Sequence, residues 1–248
     1  MIKANFNIYL IASAIVLLLT IQGCGDETDS DTAELKFDFE FQINDEDLAF
    51  GQVYDLNGSK VSFKVANYYI GGLKMTQTDD AVIDLSSDYL LAGPGNLFTV
   101  GDRIPATNIV KFDFFIGVDE TTNNQTETDF TSRPSSDPLG MKDPSMHWNW
   151  NSGYKFVRID GEVDTDGDDL PDTPISYHIG SNPLLKNISI STNRAIDDDS
   201  TISFVFDMNE FFESVDFKTV ENQDTHTGNN LALAQLLVSN LESALSVD

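Results

Sequence analysis

The alternation Leu35-Lys36-Phe37-Asp38-Phe39-Glu40-Phe41-Gln42-Ile43 constrains this chain more than any other feature. Successive side chains of a strand point to opposite faces, so this run has one apolar face and one polar face. Wound into a helix, the same residues would spread apolar groups all round the axis. The period of two returns at Val61, Phe63 and Val65, and at Val110, Phe112, Phe114 and Ile116. It returns again over residues 154–160, 175–180 and 188–191, and at Ile202, Phe204 and Phe206. Turn formers separate these runs, as in Leu56-Asn57-Gly58-Ser59, Gly93-Pro94-Gly95-Asn96 and residues 193–200. Many strands without regular strand–helix alternation predict an all-β fold, an antiparallel β-sandwich with long loops.

Helical spacing shows only near the end. Leu233, Leu236, Leu237, Leu241 and Leu245 predict a C-terminal helix over residues 231–245, packed on the sandwich. A shorter helical turn is expected at 208–213. Residues 119–146 are polar and carry Pro134, Pro138 and Pro144, which predicts an irregular loop of a length usually associated with function or disorder.

The first residues bear on compartment. Lys3 precedes an apolar run over residues 9–20 that is short for a membrane span. It leads to Gly23-Cys24, a small residue before the single cysteine, which looks like a bacterial lipobox with lipidation at Cys24. The expected organisation is a signal peptide over 1–23, an acidic tether over 24–33 and one β-sandwich domain over 34–248. The tether, opening Gly25-Asp26-Glu27-Thr28-Asp29, buries too little apolar surface to order itself. Such acidic runs resemble the surface-export signals of Bacteroidetes lipoproteins, so an outer-membrane location, on either face, is expected. With Cys24 lipidated no thiol remains for a disulfide or a thiolate metal site.

Against 41 Asp and Glu stand 14 Lys and Arg, a formal net charge of −27. Such a surface repels phosphate backbones, which argues against nucleic acid as a partner. There is no Gly-x-Ser-x-Gly elbow and no phosphate-cradling glycine loop, so the chain is not expected to be an enzyme.

Metal-binding patterns are the more informative ones. Asp164, Asp166, Asp168 and Asp172, with Gly167 among them, place hard carboxylate oxygens along one loop, as calcium requires. The loop resembles those of thrombospondin type-three repeats and lacks the terminal Glu of an EF-hand; an acidic hairpin without an ion would read the same way. The three histidines are His147, His178 and His226, from separate segments. Met141 and Met146 flank the first, and imidazole with thioether suits copper better than calcium or magnesium.

Both tryptophans fall in Met146-His147-Trp148-Asn149-Trp150-Asn151-Ser152-Gly153-Tyr154. This Trp-x-Trp-x-x-Gly-Tyr run, followed by Lys155-Phe156 and an Asp-Gly turn, resembles the signature of the MbnP family. Residues 65–75, Phe112–Asp119, Tyr177-His178-Ile179-Gly180 and His226-Thr227-Gly228-Asn229-Asn230 resemble further family segments in the same order. These are methanobactin-associated proteins related to the CorA and MopE copper proteins. The resemblance implies a β-sandwich that binds copper, with His178 and His226, and His147 as a third candidate, as ligands. It also implies a diheme peroxidase-like partner, MbnH, that converts a tryptophan to kynurenine, and an outer-membrane receptor as a further candidate partner. Opening the indole releases an aniline amine able to bind copper. Trp148 and Trp150 both match as precursors, and both are equally suited to filling a core. The competing reading is a surface lipoprotein that binds a glycan or protein partner through its aromatics, with the Asp loop as a structural calcium site.

Overall fold

A computed structural model describes residues 32–149, 153–197 and 199–248. The segment expected as a signal peptide, Cys24, the expected tether up to residue 31 and Trp150 lie outside the described residues.

Two sheets face one another. The larger runs in the order Lys186–Ile196, Thr107–Ile116, Ser59–Gln77, Val157–Val163, Thr173–Ile179, Asp224–Thr225. The long strand Ser59–Gln77 also pairs with Val53–Leu56, Val82–Leu85 and Leu90–Ala92. The smaller sheet runs Leu245–Val247, Ser200–Asp207, Leu35–Ile43, Glu46–Asp47, with Asn96–Thr99 pairing on the same edge of Leu35–Ile43 as Glu46–Asp47. The alternating run Leu35–Ile43 buries its five odd residues and leaves the even ones half-buried. Aromatics meet across the two sheets: Phe41 lies 5.6 Å from Tyr68, while Phe204 of the neighbouring strand lies 5.6 and 5.7 Å from Phe112 and Phe114. Ring pairs at these spacings add to the area that burial removes from water.

The fold is the expected all-β sandwich with a C-terminal helix, and several details depart from expectation. Pairing is not wholly antiparallel: Ser200–Asp207 runs parallel to Leu35–Ile43, and Asp224–Thr225 runs parallel to Thr173–Ile179. Residues 193–196, expected in a turn, extend the strand Lys186–Ile196, because Ile196 reaches the core and pairs with Thr107. Thr32–Ala33, expected in the tether, pair with Ile104–Pro105, and Ala33 is buried. The helix is Leu231–Ala244, capped by the Asn230 side chain accepting from the Leu233 amide; Leu245 starts a strand instead of continuing the helix. Among the described residues no helix is long and apolar enough to cross a membrane.

The proline-rich segment is more ordered than a polar composition predicts. It holds two short helices, Glu120–Asn123 and Glu127–Thr131, the second opened by a reciprocal Thr126–Asp129 capping box. It also closes a second, smaller core of Tyr69, Val118, Leu139, Met146, Tyr154 and Phe156. Tyr69 and Tyr154 donate their hydroxyls to the Pro138 and Leu139 carbonyls at 3.0 and 2.9 Å. At Gly153 (φ +71°) the Asn123 amide oxygen comes so close to accept from the Tyr154 N–H that a Cβ would sit 2.2 Å from it. That backbone conformation and that approach both require glycine.

Candidate metal centre

The strands Val157–Val163 and Thr173–Ile179 send Val157, Ile159, Ile175, Tyr177 and Ile179 into the core. Alternation therefore turns Arg158, Asp160, Ser176 and His178 to the outer face. Register sets Asp160 opposite Ser176 and Arg158 opposite His178, so four polar side chains form one compact square. The third contributor comes from far along the chain. Asp224–Thr225 pairs parallel with Ser176–Tyr177, and one residue further in the same register stands His226 beside His178. The Ser176 amide donating to the Gln223 carbonyl, and the Tyr177 hydroxyl donating to the Asn222 carbonyl, both at 2.9 Å, hold that segment in place.

The two imidazoles lie 4.7 Å apart between ring centres. His178 Nε2 is 2.6 Å from Asp160 Oδ1, a hydrogen bond the ring donates in the tautomer protonated on that nitrogen. The Ser176 hydroxyl is 3.0 Å from that oxygen, 3.2 Å from His178 Nε2 and 3.5 Å from His226 Nε2, which brings both imidazole nitrogens to one point. The other Asp160 oxygen is held by Arg158 Nε at 2.7 Å. Burial opposes the Asp160 charge, but the His178 and Arg158 bonds outweigh it and hold the carboxyl well below its usual range. Burial pulls the His178 imidazole below its ordinary value, and Asp160 offsets part of that pull. The ring therefore favours its neutral, metal-binding form. His226 is exposed, its amide bound to the Asn229 side chain at 2.6 Å.

Trp148 covers this face. Its strand His147–Asn149 pairs with Gly153–Tyr154, and its indole stands edge-on to both histidines, 5.6 Å from His178 and 5.7 Å from His226 between ring centres. Gly180 makes room for it: a Cβ there would meet the Tyr154 carbonyl at 2.2 Å and Trp148 Nε1 at 3.1 Å. The buried Lys155 ammonium lies over the indole, 5.1 Å from a ring centre, and donates to the Ser145 carbonyl at 2.9 Å. Arg158 Nη1 donates to the same carbonyl at 2.7 Å.

His147 does not join the pair. Neighbours on a strand face opposite ways, and its ring stacks on Phe130 at 4.0 Å and edge-on to Tyr154 at 4.8 Å, on the second core. Burial, with Lys155 adding, pushes its pKa down to about 4. The expected thioethers are absent as well: Met146 packs in the second core and Met141 is exposed. Asp160, Arg158, Ser176 and Lys155 are the members sequence reasoning missed. Their signal was the pair of spacings Arg158-x-Asp160 and Ser176-x-His178, each placing two polar residues on one strand face.

The aspartate loop lies apart, joining Val157–Val163 to Thr173–Ile179 at the end away from His178. Asp164, Asp166 and Asp168 each offer an oxygen within 4.8 Å of the others, an arrangement open to a hard cation, while Asp172 stands outside the cluster. The Asp164 carboxylate already accepts from the Asp166, Gly167 and Asp169 amides, so hydrogen bonds within the loop shape it.

The MbnP family model matches residues 32–229. Among solved structures, MbnP from Methylosinus trichosporium is similar at a TM-score of 0.56 and 16% identity, with 87% of this chain and 98% of that chain covered. No curated protein sequence matches the chain.

Proposed function

The chain belongs to the MbnP family, and from that premise we propose that it binds copper at His178 and His226 in copper acquisition, storage or handover. The observation that carries this reading is the convergence of His178 Nε2 and His226 Nε2 on the Ser176 hydroxyl. Two imidazoles with a carboxylate alongside fit copper by donor chemistry. Asp160, braced by Arg158, holds the His178 ring through Nε2 itself, so copper binding at that nitrogen would displace this hydrogen bond and its proton. Copper, when bound, supplies a redox-active centre. The protein carries it and is not itself an enzyme.

Trp148 is the precursor in this proposal, since its ring abuts both histidines. An intact indole is a poor ligand because its nitrogen lone pair belongs to the π system. A diheme peroxidase-like partner would oxidise it to kynurenine, freeing an aniline amine beside the imidazoles. A lipid anchor on Cys24 would hold the chain at the outer membrane, where a receptor could take over the metal.

The test is metal analysis of the mature chain, before and after exposure to such a peroxidase, with peptide mapping of both tryptophans. Copper near one equivalent, lost on joint replacement of His178 and His226 by Ala, is the expected result. A chain that takes up no copper in either state overturns the proposal. The glycan reading gains no support from Trp148, because the Lys155 ammonium already lies over its ring.

A further inference from the structure

We propose that the cleft between the edge strand Asn96–Thr99 and the proline-rich segment receives an extended, largely apolar peptide of a partner protein, which adds a strand to the smaller sheet and sets a carboxylate on Lys142. The cleft shares no residue with the histidine face, so the proposal stands apart from the metal.

Asn96–Thr99 pairs with Leu35–Ile43 alone among the described strands. The ladder fixes which of its backbone groups are used. Phe98 stands opposite Phe37, their rings stacked at 6.3 Å, and the Val100 amide donates to the Leu35 carbonyl at 2.9 Å. In an antiparallel pair, alternate residues turn both N–H and C=O to the same neighbour. Leu97 and Thr99 therefore turn theirs to the open side, where among the described residues these groups have no hydrogen-bond partner. Such an edge is a template for one more strand.

The cleft along this edge measures about 450 Å³. Leu90, Leu91 and Phe98 give it an apolar floor, and Ser136, Pro138 and Lys142 form its far wall. Charge then selects the occupant. The chain carries 41 Asp and Glu, yet among the described residues none lines this cleft and one lysine does. The Lys142 ammonium donates to the Ser135 carbonyl at 2.7 Å and has no carboxylate partner among the described residues. An ammonium has three donors, so two remain for an incoming carboxylate. A second copy would bring a net charge of −27 against an equal one, which favours a separate peptide over a dimer.

The experiment titrates the full mature chain against an array of synthetic apolar hexapeptides, each made in Asp and Asn versions, with binders followed by fluorescence polarisation. The Asp versions should bind on the order of fivefold tighter or more. Lys142→Ala should remove that preference and leave the affinity for the Asn versions unchanged. Leu97→Pro deletes an outward N–H without touching the ladder to Leu35–Ile43, and should weaken every binder by about tenfold. Methylating alternate peptide nitrogens should do the same to the wild-type chain, which covers the case of Leu97→Pro failing to fold. An array without binders, an Asp preference that survives Lys142→Ala, or affinity indifferent to peptide methylation overturns the inference. So does a wild-type dimer that Leu97→Pro abolishes, since a second copy would then hold the edge.

Discussion

His147 and His178 are both partly buried imidazoles with depressed pKa values, and the molecule uses them differently. His147 lies flat on Phe130 and edge-on to Tyr154, with the Lys155 ammonium as its charged neighbour. His178 has a carboxylate on its Nε2, a second imidazole 4.7 Å away and an indole across the gap. Burial alone makes an imidazole neutral; what His178 has besides is a second imidazole beside it, the arrangement on which the proposed copper site rests. Trp148, one residue from His147, faces the other way and shares the fate of His178.

The largest effect should come from separating the two histidine environments by mutation. Replacing His178 and His226 together by Ala removes both converging nitrogens, and copper affinity should fall by more than the roughly 10–100-fold typical of an outer-shell loss. His147→Ala should leave the copper stoichiometry unchanged and cost on the order of 1–2 kcal/mol in unfolding free energy through lost ring stacking. Chelator competition and denaturant melts measure the two. If His147→Ala also lost copper, the division between the faces would be wrong.

The sandwich was legible because a strand with one dry face writes itself into the sequence as alternation, and Leu35–Ile43 does so without a break. The site was legible only in part. His178 and His226 stood out as rare residues, but Asp160, Arg158 and Ser176 look like ordinary polar positions on half-buried strands. Only the register that sets Asp160 opposite Ser176 gathers them. His226 arrives through a two-residue parallel pairing, a contact between residues about 50 apart with no local pattern to announce it. His147 was misplaced for the converse reason: adjacency to Trp148 suggested a shared site, while strand geometry puts neighbours on opposite faces. The ordered proline-rich segment escaped because its anchors are backbone carbonyls, at Pro138 and Leu139, which any residue supplies.

A middle-sized effect is expected where the two faces are hinged. Gly153 takes φ +71° and leaves no room for a Cβ beside the Asn123 amide that accepts from Tyr154. Gly153→Ala should therefore destabilise the chain by about 1–3 kcal/mol, from backbone strain and a displaced hydrogen bond. Because the same hairpin carries Trp148, the tryptophan emission should shift as well. An unchanged emission spectrum would detach the second core from the metal face.

The smallest effect tests the His147 environment by itself. Burial and then Lys155 carry the ring from 6.5 to about 4, so as the pH falls the unfolded chain takes up this proton before the folded one. The stabilisation is fully present above pH 6.5 and is lost as the pH drops to about 4, below which both states are protonated. For a ring only half withdrawn from solvent this amounts to on the order of 1 kcal/mol, well under the value an unscreened shift would give. His147→Phe keeps an aromatic against Phe130 and Tyr154 and removes the titrating nitrogen. His178 also titrates below its ordinary value, and it does so in both proteins, so the difference between their stability–pH curves isolates His147. The variant should show the shallower decline between pH 6.5 and 4 in denaturant melts. Parallel curves would mean that the His147 ring stays hydrated in solution, and that its contrast with His178 rests on partners alone and not on burial.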